Sequence, residues 1–305
     1  MPAPTDALDG DTLASVRATI LAWYASERRA FPWRGSRDPY AVLVSEVMLQ
    51  QTQAARVAPR FESFMARFPT ATALGGAAAA DVLAEWTGLG YNRRALNLQR
   101  AAAHVAVHGW PRDVAGLESL PGVGPYTARA IASLAFGVRA GVVDTNVRRW
   151  LLRRFGGRDH PARLQVLADA LAAHGTGDAV AEWTHASMEI GASVCRSRVP
   201  RCEACPMALS CPSRGRAARI AVARQAPLRG SDRAYRGAVV RLLAAARGHA
   251  LGETELRARV VSEGPRVGSA LDDAGWERVV RALHRDGLVH LGPGVVRLGA
   301  ATIAP

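Results

Sequence analysis

The sequence predicts a mainly α-helical protein with a small α/β module near its C-terminal end. The chain has 305 residues, 49% of them hydrophobic, and is rich in the helix formers Ala and Leu. A Gly-rich turn, Leu120-Pro121-Gly122-Val123-Gly124, separates two helical patterns. Two short apolar runs, 288–291 and 295–298, flank Gly292-Pro293-Gly294 and predict a β-hairpin. A chain of this length can form two domains and a smaller appendage.

The charge of the chain favours a polyanionic partner. The formal net charge is +13, and all 39 basic residues are arginines. Such an excess suits nucleic acid, although a genome rich in G and C would also enrich arginine. Because the sequence contains no lysine, chemistry that needs a lysine Schiff base is excluded for this chain.

The first residues, Met1-Pro2-Ala3-Pro4-Thr5-Asp6, lack the basic and apolar segments of a secretory signal. No uncharged apolar run reaches the ~20 residues that span a bilayer. These features predict a cytoplasmic, nucleoid-associated protein without a membrane partner.

The first helical pattern, residues 12–30, is followed by the loop Phe31-Pro32-Trp33-Arg34-Gly35. The next helix opens at Asp38-Pro39 and continues through residues 41–49, where Glu46 is the only charge. A helix that is apolar on almost every side is buried. Its carboxylate therefore either pairs with an arginine or has a raised pKa, the state that a general acid requires at neutral pH.

Two short segments interrupt the helices that follow. Gln50-Gln51-Thr52-Gln53 is either an ordinary polar helix end or an amide cluster that reads base edges. Residues 54–111 contain three helical patterns, and Gly88-Leu89-Gly90-Tyr91 interrupts them with a turn whose leucine and tyrosine are suited to act as wedges in a base stack. Arg93 and Arg94 open the next helix and could serve phosphates.

The Gly-rich turn at 120–124 joins a short helical pattern at 113–119 to a longer one at 126–136. Its two glycines permit φ > 0, and the proline that follows suits a first helical turn, so several backbone N–H groups lack an intrahelical partner. The turn is therefore either a plain connection between helices or a phosphate site. Some twenty residues later, Asp144 stands at a predicted helix start, either as an N-cap or as a functional carboxylate, with Asn146 close behind.

The only cysteines follow the last of these helices, at Cys195, Cys202, Cys205 and Cys211. Four thiolates within seventeen residues can bind one metal centre, either zinc or a [4Fe-4S] cluster. Disulfides are disfavoured because nothing indicates an oxidising compartment. We interpret the centre as structural, holding an arginine-rich loop in shape.

The end of the chain has a different character. Residues 212–231 have no hydrophobic period and predict a linker. Helical patterns follow at 235–247, 253–262 and 276–286, before the hairpin at 288–298. Three helices and a hairpin are typical of a winged helix, a module that binds DNA in some proteins and contacts protein in others.

Taken together, these motifs resemble the helix-hairpin-helix DNA glycosylases that carry an iron–sulfur cluster. The most similar members are the MutY-type adenine-DNA glycosylases, which remove adenine mispaired with 8-oxoguanine. The resemblance covers residues 12–211, about two thirds of the chain. The matching motifs stand in family order: Pro32-Trp33-Arg34, Ser45 to Thr52, Trp86 to Tyr91, Leu120 to Gly124 and the cysteine spacing.

The resemblance implies a two-lobed helical fold. One lobe would consist of 1–30 and 137–211 with the cluster loop, and the other of a six-helix barrel at 31–136 that includes the helix-hairpin-helix. The linker at 212–231 and the winged-helix-like domain at 232–305 would follow.

The resemblance also assigns the catalytic residues. Glu46 would protonate adenine to make it a leaving group, and Asp144 would stabilise the oxocarbenium-like sugar, a division of roles as in glycosidases. Tyr126 and Asn146 would position these groups and the sugar. Since the sibling family that resembles endonuclease III has a catalytic lysine where this chain has Tyr126, we expect a monofunctional enzyme that leaves the abasic strand uncut.

The remaining residues carried over concern DNA and the cofactor. The pocket for the flipped adenine would contain Trp33, Arg34 and Glu189. The stack around the opposite purine would be probed by Gln51, Leu89 and Tyr91. The DNA backbone would be held by the amides of Gly122 and Gly124. The four cysteines would bind a [4Fe-4S] cluster, and the partner would be duplex DNA with adenine opposite 8-oxoguanine or guanine, bound by a monomer.

Two features depart from the family pattern. Thr145 stands between Asp144 and Asn146 where MutY-type proteins have Gly, and the winged-helix-like tail takes the place of the Nudix-like domain that recognises 8-oxoguanine. One alternative is therefore the same chemistry on thymine or uracil opposite guanine. Another is a non-catalytic iron–sulfur protein that reads DNA with its tail. The predicted adenine pocket counts against the first alternative, and the presence of both Glu46 and Asp144 counts against the second.

Overall fold

The computed structural model of the chain describes residues 9–174, 178–216, 227–263 and 271–299. It confirms a mainly helical fold with a small sheet near the C-terminal end. Half of the predicted linker, residues 217–226, lies outside the described residues. Among the described residues, no helix is both long enough and apolar enough to cross a membrane.

The elements are numbered in chain order. The helices are α1 (Gly10–Glu27), α2 (Pro39–Leu49), α3 (Ala54–Arg67), α4 (Ala71–Gly75), α5 (Ala79–Glu85), α6 (Arg93–His108), α7 (Val114–Glu118), α8 (Pro125–Phe136), α9 (Thr145–Phe155), α10 (Pro161–Ala173), α11 (Asp178–Glu189), α12 (Asp232–Ala245), α13 (Glu253–Ser262) and α14 (Asp273–Arg285). The strands are β1 (Ala250–Gly252), β2 (Val289–Gly292) and β3 (Val295–Leu298).

The described residues pack as two units. The first comprises the described parts of Met1–Glu46 and Trp110–Val222, and the second those of Val47–Gly109 and Ala223–Pro305. This grouping places the helix-hairpin-helix with the N-terminal helix and the cysteines, and the tail with α3 to α6. It differs from the division implied by the resemblance, and those domain boundaries stay a prediction.

The core of the first unit lies between α1, α9, α10 and α11. Ile20, Leu151 and Leu171 are fully buried there, and Trp150 packs edge-on against Trp183 with ring centroids 6.3 Å apart. The short helix α7 packs on α8, which in turn packs on α11. This arrangement fixes α8 and α9, the two helices that follow the Gly-rich turn.

The second unit combines α3 to α6 with the tail. Four helices stand where the sequence predicts three, because α4 has only five residues and is too short to show a period. In the tail, β3 pairs with β1 and β2 in an antiparallel sheet of order β1-β3-β2. The sequence predicts the hairpin β2–β3 and misses β1, which has three residues. Helix α12 packs against α5, so the tail and the helices before residue 109 share a core.

The contact between the tail and α5 is close. Gly299 follows β3 with φ +81, and a Cβ at this position would lie 3.1 Å from the backbone nitrogen of Ala80. Only a glycine accommodates both the left-handed backbone and the approach of α5. Within the second unit the tail is therefore packed onto α5 and does not stand apart as an independent appendage.

Candidate active site

Glu46 lies on α2, the helix that the sequence predicts to be buried. The helix begins where the Asp38 carboxylate accepts hydrogen bonds from the amides of Tyr40 (3.0 Å) and Ala41 (3.3 Å). Glu46 is 4% exposed. Its Oε2 accepts a hydrogen bond of 2.9 Å from the hydroxyl of Tyr126, in the first turn of α8. The hydrogen-bond partner of the buried carboxyl is thus a hydroxyl and not an arginine.

This environment shifts the pKa of both groups. Burial, the largest cause, raises the pKa of Glu46 to about 7; the hydrogen bond from Tyr126 acts against this shift, and the charge of Asp144 adds to it. Burial and the nearby Glu46 and Asp144 raise the pKa of Tyr126 well above its ordinary value. The phenol therefore stays protonated and donates, while the carboxyl can hold or release a proton near neutral pH.

Asp144 is the N-cap of α9. Its Oδ1 accepts from the amides of Asn146 (2.9 Å) and Val147 (2.6 Å), and its Oδ2 accepts from the side-chain nitrogen of Asn146 (2.7 Å). Burial raises the pKa of Asp144, and the hydrogen bonds from Val147 and Asn146 oppose that shift. Asp144 is therefore an N-cap, and capping also holds its carboxylate in one orientation; its catalytic role stays a prediction.

Arg149 binds the side-chain oxygen of Asn146, whose side-chain nitrogen donates to Asp144. No sequence motif described above marks this arginine. Its Nη2 donates to Asn146 Oδ1 (2.8 Å) and to the carbonyl of Gly191 (2.6 Å), and its Nε donates to the carbonyl of Cys195 (2.6 Å). Arg149 is 6% exposed. Residues three apart share a helix face, so its position after Asn146 is a signal that the high arginine content obscured.

A π-helical turn, Ile190–Val194, follows α11 and lies against Asn146. A Cβ added to Gly191 would be 2.6 Å from the carbonyl oxygen of Asn146 and 2.8 Å from its Cβ. The glycine therefore permits a backbone approach that any side chain would block. Single π-helical turns recur at functional sites, but no sequence pattern used above predicts one here.

Two of the four cysteines contact arginines of α9. Arg153 donates to Cys195 Sγ at 3.4 Å and its carbonyl accepts from Cys211 Sγ at 3.6 Å, and Cys195 and Cys205 pack on the core of the first unit. Burial raises the pKa of Cys205, and the other three cysteines raise it further. Within the described residues, no three His, Cys, Asp or Glu side chains form a group that could hold a metal ion.

Arg34 and Glu189 form a buried ion pair, joined by Arg29, which the sequence analysis did not identify. Glu189 is 1% exposed; its Oε1 accepts from Arg29 Nε at 2.5 Å, and its Oε2 accepts from Arg34. Burial acts to raise the pKa of Glu189, but the two guanidinium groups outweigh it and hold the pKa below its ordinary value. Trp33 stacks on Phe31 beside them, with ring centroids 4.9 Å apart.

The residues expected to probe the opposite base lie in the second unit. Gln51 and Tyr91 are exposed and have left-handed backbones, with φ of 55° and 49°. Leu89 is 4% exposed. Leu89 therefore packs in the core, because the turn places its side chain inward and that of Tyr91 outward; its role at the opposite base stays a prediction.

Arg94 is half-buried and binds backbone carbonyls; a phosphate contact of this arginine stays a prediction. Its guanidinium donates to the carbonyls of Val47 (2.6 Å), Gln50 (2.6 Å) and Gly90 (3.1 Å). Burial lowers the pKa of Arg94 to about 10. The side chain joins the end of α2 to the turn before α6, so that Gln51 and Tyr91 are held by one group.

The Gly-rich turn differs from the expectation at one glycine. Gly122 has φ 76, but Gly124 has φ −94 and acts as the N-cap residue of α8, with Pro125 in its first turn. Only Gly122 needs the left-handed conformation, because Gly124 already has the extended backbone of a cap. Both glycines are exposed.

Comparison with known proteins identifies relatives over the region of this site. Residues 44–172 match the HhH-GPD superfamily of base excision DNA repair proteins. The chain is 45% identical over 195 residues to an adenine DNA glycosylase of Mycobacterium tuberculosis, a match that covers 62% of this chain and 64% of the relative. It is 42% identical over 231 residues to an adenine DNA glycosylase of Mycolicibacterium smegmatis, covering 73% of this chain and 78% of the relative.

The fold also matches solved structures. A thermostable thymine-DNA glycosylase aligns with a TM-score of 0.60 at 32% identity, covering 66% of this chain and 95% of that protein. The alignment thus includes nearly the whole of the shorter protein and leaves about a third of this chain unmatched.

Proposed function

Because this chain belongs to the adenine DNA glycosylase family of the HhH-GPD superfamily, we propose that it hydrolyses the N-glycosidic bond of adenine mispaired with 8-oxoguanine or guanine in duplex DNA. The match spans 64% of the length of the M. tuberculosis relative, so the argument rests on the residues that this chain contains. The observation that carries it is the pair Glu46 and Asp144, one buried and one half-buried carboxyl that differ in their surroundings.

The two carboxyls suit different roles. Glu46 has one hydrogen bond, from Tyr126, and a pKa raised to about 7, so it can deliver a proton to the adenine ring as the base departs. Asp144 accepts three hydrogen bonds from Asn146 and Val147, which favour its charged form. A fixed carboxylate stabilises the positive charge that develops on the sugar. In a duplex the target adenine must first be flipped out of the stack.

The buried pair Arg34 and Glu189, with Trp33 close by, supports an adenine pocket. Adenine that is protonated as it leaves needs an acid such as Glu46. Thymine and uracil, the substrates of the alternative function, do not use an acid in this way. The hydroxyl of Tyr126 stands where a lyase of the sibling family has lysine, and the sequence contains no lysine. We therefore expect base removal without strand cleavage, by a monomer acting on DNA in the cytoplasm.

The four cysteines support a [4Fe-4S] cluster as cofactor. Four cysteines can also bind zinc, and the resemblance to the iron–sulfur glycosylases is what favours the cluster. Cys195 and Cys205 pack on the core of the first unit, and Arg153 donates to Cys195, so a cluster held there would be anchored to the helices. When bound, the cluster would supply a structural link across the loop, and no step of the reaction is assigned to it. Cys202→Ser is expected to remove the visible absorbance of the iron–sulfur cluster.

The test is single-turnover excision by the purified full-length protein. The substrates are duplexes with adenine opposite 8-oxoguanine, guanine or cytosine, and duplexes with thymine or uracil opposite guanine. We expect adenine release opposite 8-oxoguanine and guanine, with strand breaks only after alkali. Release of thymine or uracil alone would refute adenine specificity while retaining the fold.

A further inference from the structure

The segment that leads to Asp144 is buried but has no regular secondary structure. Residues 137–144 join α8 to α9 within the first unit and form neither helix nor strand. Ala140, Gly141 and Val142 are buried. The N–H and C=O groups of a buried segment need hydrogen-bond partners. With no neighbouring strand to supply them, side chains from other elements have to do so.

Three side chains bind the backbone of Gly141. Its N–H donates to Asp169 Oδ1 at 2.8 Å. Its carbonyl accepts from Gln165 Nε2 at 2.9 Å and from Arg129 Nη1 at 3.4 Å. The same oxygen of Asp169 also accepts from Arg129 (2.7 Å) and from Gln165 (3.2 Å). Both polar groups of this glycine are therefore held by one connected network, with two members on α10 and one on α8.

Gly141 also lies directly against the backbone of α10. A Cβ added at this position would be 2.3 Å from the carbonyl carbon of Ala168 and 2.5 Å from the backbone nitrogen of Asp169. No side chain fits in that space. The segment is thus pressed onto α10 on one side and held by hydrogen bonds from moving away on the other.

The network reaches two residues of the candidate active site through short stretches of chain. Arg129 stands three residues after Tyr126 on α8, and residues three apart are neighbours on a helix surface. Gly141 stands three residues before Asp144, a stretch that spans at most about 11 Å. The network therefore ties the helix that carries the hydrogen-bond partner of Glu46 to the segment that carries the second carboxyl.

We propose that this network, the Gly141 clamp, positions the carboxylate of Asp144 for the reaction. The clamp consists of Arg129, Gln165 and Asp169. The inference rests on the proposed function, in which Asp144 stabilises the charge that develops on the sugar. A displacement of about 1 Å can cost about 100-fold in rate. The three side chains act through Asp144 and are positioning residues.

Asp169→Ala removes the centre of the clamp. In single-turnover adenine release by the full-length protein, we expect the rate to fall about 10- to 50-fold. Binding to a duplex with an uncleavable 2′-fluoro-adenosine opposite guanine should stay within about twofold. Asp169→Asn keeps an oxygen that accepts from the Gly141 amide and should restore the rate to within about fivefold of wild type. An undiminished rate in Asp169→Ala overturns the proposal.

Arg129→Ala is a milder variant in case Asp169→Ala does not fold. It removes the link to α8 and keeps the hydrogen bond between Gly141 and Asp169. We expect a rate about three- to tenfold below wild type, with unchanged binding to the same uncleavable duplex. A wild-type rate in Arg129→Ala would show that the link to α8 does not position the site.

A double variant separates positioning of Asp144 from a general loss of structure. If Asp169 acts through Asp144, the two effects are not additive. Asp169→Ala should then lower the residual rate of Asp144→Asn by less than about twofold. A loss by the same factor in both backgrounds shows that Asp169 acts elsewhere and overturns the proposal.

Asp159→Ala is the matched control. Asp159 also pairs with an arginine, Arg148, and its side chain is 40% exposed, against 38% for Asp169. It makes no hydrogen bond to Gly141. We expect the single-turnover rate of this variant to stay within about twofold of wild type, as for other surface substitutions. A loss equal to that of Asp169→Ala would assign the effect to surface charge and not to the clamp.

Amide hydrogen exchange tests the clamp without excision. The amides of Asn146 and Val147 donate to Asp144 Oδ1, so their exchange reports how firmly this carboxylate is held. In Asp169→Ala both should exchange about tenfold faster, while the amide of Ile20 in the core stays unchanged. Unchanged exchange at Asn146 and Val147 refutes the clamp. A wild-type protein that releases no adenine refutes the proposed function, and the exchange result still decides the inference.

Discussion

Glu46 allows a quantitative prediction for the pH dependence of excision. Its pKa is raised from an ordinary 4.5 to about 7. At pH 7 about half of such carboxyls are protonated, against about 0.3% for an unshifted one, a factor of roughly 150 in the fraction of competent acid. The single-turnover rate should therefore be level below pH 6 and fall about tenfold per pH unit above pH 8.

Tyr126→Phe tests whether the Glu46 carboxyl causes the fall in excision rate at high pH, the alkaline limb of the pH profile. The Tyr126 hydroxyl donates to the charged carboxylate at 2.9 Å and lowers its pKa. Removing it should move the alkaline limb upward by about one pH unit, the shift that corresponds to a hydrogen bond to a charged group. The assay is single-turnover adenine release with protein in excess, from pH 5.5 to 9, with binding saturated at each pH. A limb that moves downward in Tyr126→Phe, or a wild-type rate that is level to pH 9, would refute the argument.

The raised pKa of Glu46 also makes the free energy of unfolding depend on pH. Below pH 4.5 the Glu46 carboxyl holds its proton in both the folded and the unfolded state. Between pH 4.5 and 7 only the unfolded state loses this proton, so the free energy of unfolding falls as pH rises. The loss amounts to about 3 kcal/mol once pH exceeds 7. Glu46→Gln removes this loss and also removes the acid. Its melting temperature relative to wild type should rise between pH 5 and pH 8, while excision falls by at least about 100-fold. Normal excision by this variant would rule out Glu46 as the acid.

Three further outcomes follow from the geometry. Asp144→Asn should still bind a mismatched duplex but lose at least about 100-fold in single-turnover rate; an undiminished rate would contradict its role. Arg94→Ala leaves the carbonyls at the end of α2 and in the Tyr91 turn without their donor and should lower the free energy of unfolding in urea by about 2–4 kcal/mol; a change below about 0.5 kcal/mol would show that the guanidinium is not structural. Gly191→Ala places a methyl against Asn146 and should slow excision at least about tenfold, whereas Gly10→Ala, whose added Cβ meets nothing within 4 Å, serves as the control and should not.

The sequence alone determined the helical class, the Gly-rich turn, the buried character of α2 and the single charge within it. These features depend on local pattern, because an apolar helix with one carboxyl must be buried whatever surrounds it. The family resemblance then pointed to Glu46, Tyr126, Asp144 and Asn146, whose roles stay predictions until excision is measured. The helices and the hairpin of the winged-helix-like tail were also predictable from the sequence, but β1 was not, because it is too short to show a period.

Tertiary structure decided which arginines have structural roles. With 39 arginines and no lysine in the chain, composition could not distinguish Arg94, which binds backbone carbonyls, from Arg233, which is exposed. Gly191 escaped because its partner Asn146 lies far along the chain. Arg149 stands only three residues after Asn146, but among so many arginines this spacing did not single it out, and its other partners, the carbonyls of Gly191 and Cys195, are distant. The burial of Leu89 and the packing of the tail on α5 likewise depend on contacts between distant segments, and only folding brings those segments together.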